Sequence, residues 1–318
     1  MSLDLVVDNL TSPMVLAFAL GALAAALRSD LAFPKGLTDG LSAYLLLAIG
    51  WKGGQALAEA SLDEIWLPAT FTLALGVTTP FVAFAALRAL RFGRIDAAAI
   101  AAHYGSVSAV TFAAGLTFLE ARGDSPEGFM ATLLALLEVP GIVIALALAG
   151  AGAGGGVRLG RVVRETVTGK GIVLLVGGLV IGALASDTGA AQVSPFFEGL
   201  FFGVLTVFLL DLGLIAARRA RDLRVGGARL VGFALVMPLV GGTVGVLLGT
   251  AAGLSVGGAA ILGTMAASAS YIAATAAVRQ TLPDASPALY LTASLAITFP
   301  FNLAVGIPLY AALADTVG

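Results

Sequence analysis

Cysteine is missing from all 318 residues, and histidine occurs once. Without thiols the chain has no disulfide framework, no thiol chemistry and no Cys-ligated metal. A single histidine excludes a multi-His zinc site. Charge is scarce as well: 11% of residues are charged against 59% hydrophobic, with a mean hydropathy of +1.01. So few charges cannot cover the surface of a soluble protein, which leaves an all-α polytopic membrane protein. The opening MSLDLVVDNLTSP carries Asp4 and Asp8 but no basic residue. It therefore lacks the basic n-region of a cleavable signal peptide, and residues 13–30 read as a retained first span. Lipidation motifs are missing too. The glycine run AGAGAGGG has neither Walker spacing nor a following GK[ST], so it cradles no phosphate. The basic run Arg218 to Arg229 has no interleaved aromatics, which argues against nucleic acid. It suits a joint facing lipid headgroups or an acidic cytosolic regulator.

What the chain does have is an internal echo. Shifted by 160 positions (268 − 108), Ser108 meets Ser268, Ala113-Ala114 meets Ala273-Ala274, Thr132 meets Thr292 and Pro140 meets Pro300. Gly21-Ala22-Leu23 recurs as Gly182-Ala183-Leu184. The chain reads as two copies of one unit, 1–155 and 156–318. Ten apolar stretches are expected to span: 13–29, 36–57, 66–89, 96–121, 128–150, 170–187, 194–217, 227–252, 255–281 and 286–314. Of the 17 Lys and Arg, all but Lys52 and Arg122 then fall on one side, which places the N- and C-termini outside and the basic joints in the cytoplasm. Five spans per copy inverts the second copy, giving two inverted five-helix repeats in an inner (plasma) membrane. The joint at 149–171 reads as a flexible, glycine-rich linker.

Each copy holds a small, hydroxyl-rich break, YGSVS in the first and MAASAS in the second. Irregular backbone at membrane depth must be buried in protein or line a wet cavity, and paired breaks in two repeats point to a transport site. Gly105, Ser106, Ser108, Thr111, Ser268, Ser270 and Tyr271 are the candidate substrate residues. Half-helix N-termini suit a small anion, and hydroxyls with freed carbonyls suit sodium. Glu138, two residues before Pro140, is an intramembrane carboxylate and so a candidate ion ligand, together with Ser108, Ser268, Thr298 and Asn302. Asp211 is a possible second coupling carboxylate and His103 a possible proton shuttle. These residues alone leave three readings open: a sodium-coupled carrier of a small anion, a small-carboxylate carrier or cation/proton exchanger built on Glu138, and a non-transporting receptor or scaffold whose serine breaks only pack helices.

GSVSAVTFAAGLTFLEA at 105–121, LLEVPGIV at 136–143, IGWKGG at 49–54, GLIAARRARDLR at 213–224 and above all the run at 266–310 resemble the sodium-dependent bicarbonate transporter family, first recognised in cyanobacteria. The resemblance implies symport of bicarbonate with sodium as the coupling ion and no further cofactor. It also implies an elevator mechanism with core and scaffold domains each drawn from both repeats, a homotrimer, and control by a PII-like cytosolic protein. Where the cyanobacterial form reads roughly SSSDISGPPT, this chain reads SASYIAATAA at 268–277, with Tyr271 at the acid position and Thr275-Ala276 at the paired prolines.

Overall fold

The computed structural model describes residues 3–150 and 159–318, and every regular element in them is a helix. A short α1 (Leu3–Leu10) precedes α2 (Pro13–Ala26), which starts at Ser12, whose hydroxyl accepts from Val15 N, with Pro13 as its first residue. Then come α3 (Lys35–Glu59), α4 (Leu62–Ala89), α5 (Arg94–Gly105), α6 (Ala109–Arg122) and α7 (Met130–Gly150). After the linker follow α8 (Leu159–Val167), α9 (Lys170–Leu184), α10 (Asp187–Phe197), α11 (Phe201–Arg219), α12 (Leu223–Ala251), α13 (Val256–Ala266) and α14 (Ala273–Thr281). The last helix, α15 (Pro287–Val317), contains π-helical stretches at Thr292–Thr298 and Asn302–Gly306, on either side of Pro300.

Among the described residues, six segments are long and apolar enough to cross a membrane. A seventh is the pair Gly160–Val167 and Lys170–Leu184, bent by 58°, and Pro13–Ala26 and Val256–Ala266 are shorter apolar helices. Most backbone donors are consumed within helices, as lipid demands. Exposed Leu, Val and Phe side chains along α2, α4, α9 and α12 face outward, where lipid rather than water surrounds a membrane protein.

Packing divides these helices into two groups. In one, α2 lies against α11 and α3 against α9, backbone to backbone. Glycines permit the approach: a methyl at Gly21 would meet the backbone of Leu210, one at Gly50 that of Leu175, and one at Gly182 that of Trp51. The other group contains α4 to α7 and α12 to α15. There the row Gly241, Gly245 and Gly249 of α12 seats against Ala266, Gly263 and Ala259 of α13. Arginines tie one rim of this group together: the Arg94 guanidinium donates to Leu148 O at 2.7 Å and Arg229 donates to Leu90 O at 3.0 Å. These side chains quench carbonyls that α7 and α4 leave open at their C-terminal ends.

The structure adds three local details to this layout. The linker at 149–171 is not simply flexible: residues 159–167 form α8, while 151–158 (with Arg158) lie outside the described residues. The expected span at 194–217 lies within the apolar segment Asp187–Arg219, whose helix is interrupted between Phe197 and Phe201. The N-terminal α1 carries Asn9, whose amide donates to Leu303 O at 2.9 Å. That carbonyl sits in a π-helical stretch of α15, where the ordinary i→i−4 ladder is interrupted.

Candidate functional site

Both expected breaks are present. Helix α5 stops at Gly105 and α6 starts at Ala109, while α13 stops at Ala266 and α14 starts at Ala273. The two irregular stretches touch. Ser268 Oγ accepts from Ser108 N at 2.9 Å and donates to Met265 O at 2.8 Å. Ser270 N donates to the His103 carbonyl at 2.8 Å. The Ser108 and Ser270 amides are thus each satisfied from the opposite broken span.

Two half-helices start here. Ser108 caps α6 by accepting from Thr111 N at 3.2 Å, and Ser270 Oγ accepts from Ala274 N at 3.3 Å in the first turn of α14. Both N-termini border one cavity of about 20 Å³, lined by Val107 to Val110 from the first break and Ser270 to Ala273 from the second. Glu138 of α7 reaches it, as do Leu46 of α3 and Gly171 of α9. The carboxylate is 5% exposed, and its Oε2 has no hydrogen-bond partner. The Tyr271 hydroxyl is likewise buried without a partner. The space open at its centre is that of one water or one bare sodium ion. Positive helix ends, hydroxyls and a carboxylate therefore meet in a space the size of a small ion.

A larger cavity of about 340 Å³ lies farther along the same two helices, α3 and α6. Its walls include Ile49, Lys52, Phe112, Leu116, Glu120 and Glu127, and it reaches the Phe201-Phe202 end of α11. Only about half a turn of each helix separates the two spaces, from Leu46 to Ala48 and from Val110 to Phe112.

A model of the Na+-dependent bicarbonate transporter superfamily matches residues 13–315. The chain belongs to that superfamily. No individual curated protein matches it at significance. Membership makes the chain a multi-pass membrane transporter rather than an enzyme, and implies sodium-linked bicarbonate transport.

Within this transporter the expected site residues divide by position. Ser108, Glu138, Ser270 and Tyr271 line the small cavity. Ser268 stands behind it as the link between the breaks. Ser106 is buried beside it with a hydroxyl that has no partner, and Thr111 supplies the amide that Ser108 caps. Gly105 does not line the cavity: a methyl there would press on Gly141 and Pro80, so it serves the crossing of α5, α7 and α4. Thr298 and Asn302 are fully buried and occupied elsewhere. Tyr104 donates to Thr298 Oγ1 at 2.6 Å, and Thr298 donates to Ala234 O at 2.7 Å. Asn302 Nδ2 donates to Ala267 O at 2.8 Å, while its Oδ1 accepts from Tyr310. Asn302 therefore holds the second break from behind. Asp211 lies in the other helix group, hydrogen-bonded to Thr38 of α3. His103 packs its ring on Tyr290.

Leu46 and Gly171 were not expected at the site. No local pattern marks them, because they belong to α3 and α9, the group that packs against the breaks across a seam.

Proposed function

We propose that the chain is a sodium-coupled symporter that carries bicarbonate into the cell, with its site where the two breaks cross. The observation that carries this reading is the contact of Ser108 N with Ser268 Oγ beside Glu138, which sets two helix N-termini and one carboxylate on a single ion-sized cavity. The helix ends favour the anion, and the carboxylate with neighbouring oxygens favours the hard cation. Each ion lowers the electrostatic cost of placing the other there, the physical basis for carrying them together.

The finer architecture belongs to the same proposal: ten crossings, formed by α2, α3, α4, α5–α6, α7, α9, α11, α12, α13–α14 and α15, as two inverted repeats, 1–155 and 156–318, with both termini outside. Support comes from the glycine contacts of the first helix group. A methyl at Gly213 would meet Phe18 O and Ala22 N, and one at Gly54 would meet Leu179 O and Ala183 N. A methyl at Gly21 would meet Leu210 O and Leu214 N, and one at Gly182 would meet Trp51 O and Gln55 N. Exchanging the halves maps one set onto the other, by 161 positions (179 − 18, 183 − 22) and by 159 (210 − 51, 214 − 55). That reciprocity is what a two-fold axis between inverted repeats requires.

Under this reading α2, α3, α9 and α11 form a scaffold, and the second group slides past it carrying the cavity. Leu46 and Gly171 mark the scaffold side of the seam. The deciding measurement is uptake of labelled bicarbonate into proteoliposomes under an inward sodium gradient, with small carboxylates as competitors. Uptake that persists unchanged without sodium, or that formate or acetate displaces more strongly than bicarbonate, would refute the proposal. The unpartnered Glu138 oxygen also favours cation/proton exchange as a second reading. A pH jump that drives sodium flux in the absence of bicarbonate would decide for it.

A further inference from the structure

His103 is the chain's one imidazole, and it is fully buried in α5. Its ring stacks on Tyr290, with centroids 4.7 Å apart and planes at 25°, which fixes the ring plane. Nδ1 lies 2.7 Å from the Ala99 carbonyl. A carbonyl can only accept, so Nδ1 carries the proton and the neutral ring presents a lone pair at Nε2. That lone pair faces Thr275 Oγ1 at 3.2 Å. The Thr275 hydroxyl has one proton and a second claimant, the Tyr271 carbonyl, at 2.7 Å. The His103 carbonyl meanwhile accepts from Ser270 N at 2.8 Å. One residue of the first broken span therefore grips the second at two points, Ser270 in the break and Thr275 in the first turn of α14, with the cavity-lining Tyr271 held between.

The geometry points to His103 as a positioning residue for transport. Its carbonyl and ring clamp the Ser270–Thr275 segment against α5, and the Thr275 proton swings between the Tyr271 carbonyl and Nε2 as that segment loosens and tightens. With the Thr275 hydroxyl donating to Nε2 the tie across spans is made and the Tyr271 carbonyl is released. With it donating to the Tyr271 carbonyl the first turn of α14 closes on itself and the tie is lost. The inference rests on the small cavity being the transport site.

Three variants test it. Thr275→Val keeps the shape without the hydroxyl, His103→Phe keeps a stacking ring without nitrogens, and His103→Gln restores one donor and one acceptor. Among the described residues and in the whole sequence there is no cysteine, so Ile272→Cys at the cavity wall gives a single labelling position. In that background, Thr275→Val and His103→Phe are each expected to speed thiol labelling. In the cysteine-free chain each raises half-saturating bicarbonate about tenfold and lowers the maximal rate less. The double variant is no worse than either single one, and His103→Gln restores both readouts. The clamp is refuted if the two effects multiply, if His103→Gln behaves like His103→Phe, or if labelling at position 272 never changes. Should His103→Phe not fold, Thr275→Val decides alone by the labelling rate. Labelling needs no substrate, so a chain that carried some other anion would still show it.

Discussion

Replacing Ser268 with alanine removes a side-chain oxygen that joins the two breaks. Its hydroxyl is 1% exposed and makes two bonds, accepting from Ser108 N and donating to Met265 O. Loss of the second bond is cheap, because Met265 O still accepts from Ser268 N at 3.1 Å. Loss of the first leaves the buried Ser108 amide with no protein partner. A buried donor left unmade costs about 1–3 kcal/mol, which corresponds to roughly 5- to 150-fold in the population of the assembled site. Half-saturating bicarbonate in proteoliposomes should rise by a factor in that range, and the thermal midpoint of purified protein should fall. Ser268→Thr, which retains the oxygen, should recover part of both. The contrast is Ser106→Ala: that hydroxyl has no protein partner, so its removal should leave the midpoint unchanged and affect uptake only through the transported ions. Wild-type half-saturation together with a wild-type midpoint in Ser268→Ala would show that the crossing of the breaks does not depend on this bond.

Gly141→Ala places a methyl on the backbone of Gly105, directly beneath the first break. Overpacking against main chain that cannot yield should cost at least about 1–3 kcal/mol and lower both the thermal midpoint and uptake. Gly177→Ala on α9 meets nothing within 4 Å, and the gain in helix propensity should leave it neutral or up to about 1 kcal/mol more stable by the same melting assay. Glu138→Gln keeps the shape of the cavity wall while removing its charge. Half-saturating sodium should then rise about tenfold or more, and uptake at saturating bicarbonate should no longer follow the sodium gradient. An unchanged sodium requirement would remove Glu138 from the coupling.

Much of the site was legible because repetition marks it. Ser108 and Ser268 stand 160 positions apart, and both lie in irregular stretches, as the hydroxyl-rich breaks suggested. Repetition misled where the halves use the same residue differently. Thr298 is the repeat mate of Glu138, yet it bonds Tyr104 and Ala234 instead of reaching the cavity. Pro140 sits in an ordinary α-helix, while its mate Pro300 stands between two π-helical stretches. The partners around each proline differ: Asn302 is drawn to Ala267 O, and Asn9 arrives from α1 to take Leu303 O. Sequence spacing carries no signal for such partners, since Asn9 and Leu303 come from opposite ends of the chain.

Composition alone determined that this is a helical membrane protein, because 11% charge cannot solvate its surface and lipid admits few other backbones. The echo at 160 positions determined where the helices break. Only the tertiary structure decided which oxygens at those breaks remain open to an ion and which are consumed in holding the crossing together. A hydroxyl has few bonds to give, and whether Ser268 or Thr298 spends them on a neighbouring backbone depends on helices that become neighbours only when the chain is folded.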